Sequence, residues 1–164
     1  MTKFVFFALS LLVLTGCRSP EQGAQEETGS VIEAEIRALP ELVQVDPQAR
    51  EVLDSWPQYI SLENRLSALP GVRNREEMEL LLEELNQICL QIEENAFPAP
   101  FETPSVRSRQ KVLRTYLGKL ESANHYRLEY QEPISELMDA YNALRQQFNV
   151  IVRNTLTPDL FEDE

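Results

Sequence analysis

One histidine limits the chemistry open to this chain. His125 follows Glu121 by four residues, so a helix would place the imidazole and the carboxylate on one face. Di-iron bundles need two Glu-x-x-His elements and two further glutamates, and a single histidine cannot supply them. Zinc needs a cluster of ligands, yet the chain offers only Cys17, Cys89 and His125 beside its carboxylates. No metal and no cofactor are therefore expected. Nucleophilic catalysis lacks a Gly-x-Ser-x-Gly elbow. The glycines at 16, 23, 29, 71 and 118 are too scattered to cradle a phosphate. Paired carboxylates are plentiful from Glu76 to Glu94, but a solvated helix face accounts for them. The expectation is a protein that is not an enzyme.

Charge excludes a second class. The chain carries 15 Lys and Arg against 27 Asp and Glu, a net charge of −12. Such a field repels phosphate backbones and anionic headgroups, so no nucleic-acid partner is expected. Cys89 lies between Ile88 and Ile92 on an apolar helical stripe and reads as a buried thiol.

The N-terminus is more specific. Lys3 precedes an apolar run from Phe4 to Leu14, which ends in Leu14-Thr15-Gly16-Cys17. The run is shorter than the ~20 residues that span a bilayer, and small residues follow it as at a cleavage site. The tetrapeptide resembles the lipobox of bacterial lipoproteins. That resemblance implies removal of residues 1–16, acylation of Cys17, and a lipid bilayer as partner; two or more acyl chains hold a protein stably. Arg18 stands where an Asp would resemble an inner-membrane retention signal, so the implied site is the outer membrane, on its periplasmic face or at the cell surface. Residues 17–29 contain Pro20, Gly23 and Gly29 and little to bury. They are expected to form a flexible lipidated tether with a reach of about 20 Å.

Residues 30–156 carry helical punctuation, and 157–164 form an acidic tail expected to be disordered. Ser30-Val31-Ile32-Glu33 fits a capping box for a short first helix that ends at Pro40. Asp46-Pro47 offers an N-cap acceptor and a proline at the first helical position. Val52, Trp56, Tyr59, Leu62, Leu66 and Leu69 then share a face, while Pro57 predicts a kink or two short helices joined near Ser55. Asn74 and Glu77 cap a third segment with Met78, Leu81, Leu82, Leu85, Ile88, Cys89 and Ile92 on its stripe. Thr103-Pro104 opens a fourth, with Val112, Leu113, Tyr116, Leu117 and Leu120 inward. An extended connection is expected around Tyr126, Leu128 and Tyr130. Pro133 then begins a last helix whose Ile134, Leu137, Tyr141, Leu144, Phe148 and Ile151 follow a coiled-coil rhythm. Four helices of about 20 residues with short loops pack most economically as an all-α, antiparallel up-down four-helix bundle, with the extra N-terminal helix across it.

Two surfaces are the candidate partner contacts. Arg107, Arg109, Lys111 and Arg114 make a basic stripe on the fourth helix, facing either the glutamates of the third or an outside partner. Asn142 and Asn149, with Gln146, form a polar row beside the Tyr141/Phe148 seam, for interhelical bonding or a ligand. The segments Ser108–Tyr116 and Ala140–Ile151, taken with the lipobox, resemble a family of small, uncharacterised helical lipoproteins of Gram-negative bacteria. The resemblance implies an envelope accessory working through protein–protein contact, with an envelope protein as partner, and transfers no catalytic residue. The alternative is a periplasmic small-ligand or metal-stress module. Leu156-Thr157-Pro158-Asp159 is the nearest fragment to the Leu-Thr-x-x-Gln motif of such sensors, and it lacks the closing Gln.

Overall fold

The structure is a computed structural model that describes residues 39–155, and these are helical with no strand among them. The expected signal peptide, Cys17 with its expected tether, the expected first helix apart from Leu39, and the acidic tail lie outside the described residues.

Helix α1 spans Pro47–Leu53 and α2 spans Pro57–Leu66, so Pro57 separates two short helices instead of kinking one. Proline at 57 has no N–H for a helical bond and its ring opposes the carbonyl four residues back. The chain tightens there: Ser55 N–H donates to Val52 O at 3.2 Å and Trp56 N–H to Leu53 O at 3.0 Å. Asp46 does stand at the N-cap of α1, but its side chain makes no capping bond. Its carboxylate is taken by Arg153, whose Nε and Nη2 donate at 2.7 and 3.0 Å.

Helix α3, Arg75–Glu94, is capped by Asn74, whose Oδ1 accepts from Glu77 N–H at 2.9 Å. The Glu77 carboxylate reaches back to Arg73 N–H at 3.0 Å. All seven stripe residues expected on α3 are buried. A short 3₁₀ turn, Ala99–Phe101, follows the Phe97–Pro100 breaker and drives Phe101 fully into the core. Helix α4, Pro104–His125, is capped by Thr103. Its inward face is Val106, Gln110, Leu113, Leu117, Leu120 and Ala123, whereas Val112 is exposed and Tyr116 only partly covered. Gly118 lies mid-helix, and a Cβ added to it would meet nothing within 4 Å. Gly118→Ala therefore raises stability by about 0.5–1 kcal/mol, read as a higher urea midpoint with an unchanged slope.

The connection expected to be extended starts with a turn at Tyr126 and Arg127. Leu128 N–H donates to Ala123 O at 2.9 Å and Arg127 adopts φ 56°, a left-handed cap that ends α4 abruptly. The last helix, α5, spans Gln131–Thr155, so Pro133 falls inside its first turn and does not begin it. The N–H groups of that turn have no helical acceptor, which makes proline harmless there. Along α5 the buried residues run from Ile134 to Phe148 as expected and then pass to Val152, leaving Ile151 partly buried. A helix turns every 3.6 residues, so a seam repeating every 3.5 drifts around it.

In packing, α2 lies on α3, α3 on α4, α4 on α5, and α1 returns to α5. α3 and α4 run antiparallel: Arg75 Nη1 donates to Tyr130 Oη just beyond α4 at 2.8 Å, and Gln110 Nε2 donates to Cys89 O at 3.4 Å further along the pair. No helix among the described residues is long and apolar enough to cross a membrane.

Candidate functional site

Helix α5 carries the polar side chains with the most connected surroundings. Asn142, Arg145 and Asn149 recur at three- and four-residue spacing and face one side of α5. Against that side lies the strap, residues 39–46, which enters α1. Asn142 Oδ1 accepts from Val43 N–H at 2.8 Å while its Nδ2 donates to Glu41 O at 2.9 Å. Asn149 repeats the pattern one step along: Oδ1 accepts from Asp46 N–H and Nδ2 donates to Gln44 O, both at 2.8 Å. Between them Arg145 Nε donates to Val43 O at 2.8 Å. All five bonds end on strap backbone. The Asn142/Asn149 row thus holds a segment of its own chain, and Gln146 is exposed beside it.

Arg145 also leads inward. It is 7% exposed, and its Nη1 donates to Glu63 at 2.7 Å and to Tyr141 Oη at 3.1 Å. Tyr141 shares a hydrogen bond with Tyr59 at 3.2 Å, and Arg50 clasps Glu63 with two bonds of 2.7 and 2.9 Å. The Arg50 hydrogen bonds hold the Glu63 carboxyl below its usual range; burial opposes this and Arg145 adds to it. Burial pushes both phenols upward, so Tyr59 and Tyr141 stay protonated hydroxyls at neutral pH. The Arg145 guanidinium thereby ties strap, α2 and α5, and Arg50 joins α1 to them through Glu63.

The basic stripe divides. Arg107 pairs with Glu102 and lies over the Phe97 ring, and Arg114 pairs with Glu93 on α3. Lys111 shares their face but is exposed, with no ion pair among the described residues. Arg109 is exposed about 200° around the helix from Arg107, at 100° per residue. Interhelical pairing therefore uses Arg114, while Arg109 and Lys111 face solvent. The Arg107 guanidinium keeps the Glu102 carboxyl below its ordinary range.

One nucleophile–base spacing lies outside any glycine elbow. Ser108 and Lys111 stand as Ser-x-x-Lys and line an open groove with Glu102, Thr103, Pro104 and Arg107. A lysine base needs desolvation, and Lys111 is exposed. His125 is also exposed, its ring edge-on to Tyr126 at 4.9 Å, and Glu121 accepts from Asn86 Nδ2 at 3.3 Å. Among the described residues no group of three His, Cys, Asp or Glu could hold a metal. The Cys89 thiol is buried, which pushes its pKa up to about 11 and leaves it a poor nucleophile.

The residues missed from the sequence are Arg145, Glu63 and Arg50. Arg145 follows Tyr141 by four and so had to share the buried face, which was the available signal. Glu63 and Arg50 carried none, because their meeting depends on how α1 folds back beside α2. No protein-family model, no curated protein and no solved structure matches this chain.

Proposed function

We propose that this protein is a lipid-tethered accessory of the bacterial envelope, acting through protein–protein contact and without catalysis. The observation that carries the reading is Leu14-Thr15-Gly16-Cys17 closing an apolar run directly after the first few residues. Cleavage before Cys17 removes Lys3, leaving the mature chain more acidic still, and acyl chains on Cys17 hold it at the outer membrane. The body is an antiparallel up-down four-helix bundle in which α1 and α2 together form one broken arm. Arg109 and Lys111 support a contact role because both stand exposed, with no ion pair among the described residues. The two project from different sides of α4, and on an otherwise acidic body each exposed cation attracts an acidic partner and sets its orientation more than its affinity.

Two measurements test this. Mass spectrometry of the mature protein finds an acylated N-terminus at Cys17; an unmodified chain starting at Met1 overturns the anchor. In vivo cross-linking of native protein captures a specific envelope partner, and the Arg109→Glu/Lys111→Glu variant loses it. Neither residue holds the fold, so that variant keeps its stability within about 0.5 kcal/mol. An unchanged set of cross-linked proteins overturns the stripe as the contact.

A further inference from the structure

We propose that the Asn142–Arg145–Asn149 face of α5 is a binding site for an extended peptide, held in cis by the strap and open to an acidic, apolar segment of a partner protein when the strap lifts. This extends the protein-contact reading to a second surface, and it stands or falls separately from the α4 stripe.

The two asparagines read peptide backbone. Each carboxamide accepts from the N–H after one strap residue and donates to the C=O before it. A neighbouring parallel strand offers the same pair of bonds, so each side chain acts as one residue of such a strand. The flanked residues are Leu42 and Val45, three apart. Three residues of polyproline II advance about 9.3 Å, and the seven from Asn142 to Asn149 advance about 10.5 Å along a helix. The two rulers match, and Asp46 itself has φ −58° and ψ 144°, close to that conformation.

The strap is also lightly held. No residue from 39 to 46 is fully buried, and Glu41, Leu42 and Gln44 are exposed. Only Leu39 and Val45 pack against the core as partly buried residues. Backbone bonds therefore carry much of the attachment, and another extended chain supplies the same groups.

The occupant's chemistry follows from the ends of the site. Arg153 clasps the Asp46 carboxylate and Val45 precedes it, so the fitting segment places an apolar residue before an acid. Its N–H groups at the Val43 and Asp46 positions must be free, which excludes proline there.

The test uses the full chain and a capped peptide of residues 39–46, followed by NMR at the side-chain amides of Asn142 and Asn149 and the Arg145 Nε–H. Val43→Pro removes one of the five bonds to the strap backbone, the N–H donated to Asn142, yet suits an extended segment, so it weakens the strap's hold without unfolding the helices. Displacing the strap costs the native protein more than this variant, so Val43→Pro binds the peptide about tenfold more tightly. Adding Asn142→Ala and Asn149→Ala removes those two probes, and the peptide then no longer shifts the remaining one, Arg145 Nε–H. A Val43→Pro variant that binds the peptide no more tightly than the native protein overturns the proposal. A lifted strap with no peptide-induced shift also overturns it. Equal binding by a peptide with Asp46 replaced by Lys overturns the assignment of an acidic occupant.

Discussion

Phe148→Ala lowers the unfolding free energy by about 4 kcal/mol, the largest effect expected of a single substitution here. Phe148 is 0% exposed, and its ring lies 4.5 Å from Phe101, 5.4 Å from Tyr59 and 6.4 Å from Trp56 between centroids. These partners come from the 3₁₀ turn after α3, from α2, and from the α1–α2 junction, so one side chain joins segments far apart in the chain. Removing it forfeits the transfer free energy of the ring and leaves a cavity that several rigid aromatics cannot close. Edge-to-face contacts with Tyr59 and Trp56 add roughly 0.5–1.5 kcal/mol each beyond buried area, which places the loss toward the upper end. Urea denaturation measures it, with Val150→Ala as the control. Val150 lies on the same helix but is 37% exposed, so its truncation changes stability by no more than about 0.5 kcal/mol. Equal effects at the two positions overturn the account of this core.

Glu63→Gln costs about 2–3 kcal/mol at neutral pH. The neutral amide leaves Arg145 covered by protein and stripped of its anion, and it breaks the paired bonds from Arg50. Breaking a fully buried pair costs ~3–5 kcal/mol, and the partial exposure of Glu63 reduces that. The pH dependence has a definite sign. The folded state holds the Glu63 carboxyl below its ordinary value of 4.5, chiefly through Arg50. Its contribution is therefore complete above that value and is lost as pH falls through the lower folded-state pKa. The stability gap between native protein and Glu63→Gln is constant from pH 7 to about 5 and shrinks below about 4.5. A gap that persists unchanged to pH 3 rules out the carboxylate as its source. Because Arg145 also bonds Val43 O, the same substitution loosens the strap, seen as faster amide exchange at Val43 and Asp46.

Much of the helical architecture was legible in the order of residues. The α3 stripe from Met78 to Ile92 is buried throughout, because a seven-residue apolar face admits one inward orientation. Asn74 and Thr103 cap the helices they precede, since each offers a short side-chain acceptor to an otherwise unpaired N–H. Boundaries were less legible. Proline at 133 signals a helix start to within a turn, and α5 begins two residues earlier, at Gln131. Asp46 has the residue type of a cap, but a bidentate bond to Arg153 across the fold outcompetes the local one.

The site divides along the same line. Asn142 and Asn149 were visible as a polar row because helical spacing is local geometry, set by 3.6 residues per turn. What the row would hold was not visible. The strap lies about 100 positions away in sequence, and backbone amides look alike in every residue but proline. The same limit applies to charge: composition shows a basic fourth helix, yet Arg114 turns to Glu93 while Arg109 and Lys111 turn to solvent. Local periodicity, capping and the N-terminal motif thus reside in the sequence itself, because each depends on neighbours within a few positions. Which charges meet, which carboxylate is clasped by two arginines, and which segment the asparagines hold were decided only when distant parts of the chain packed together.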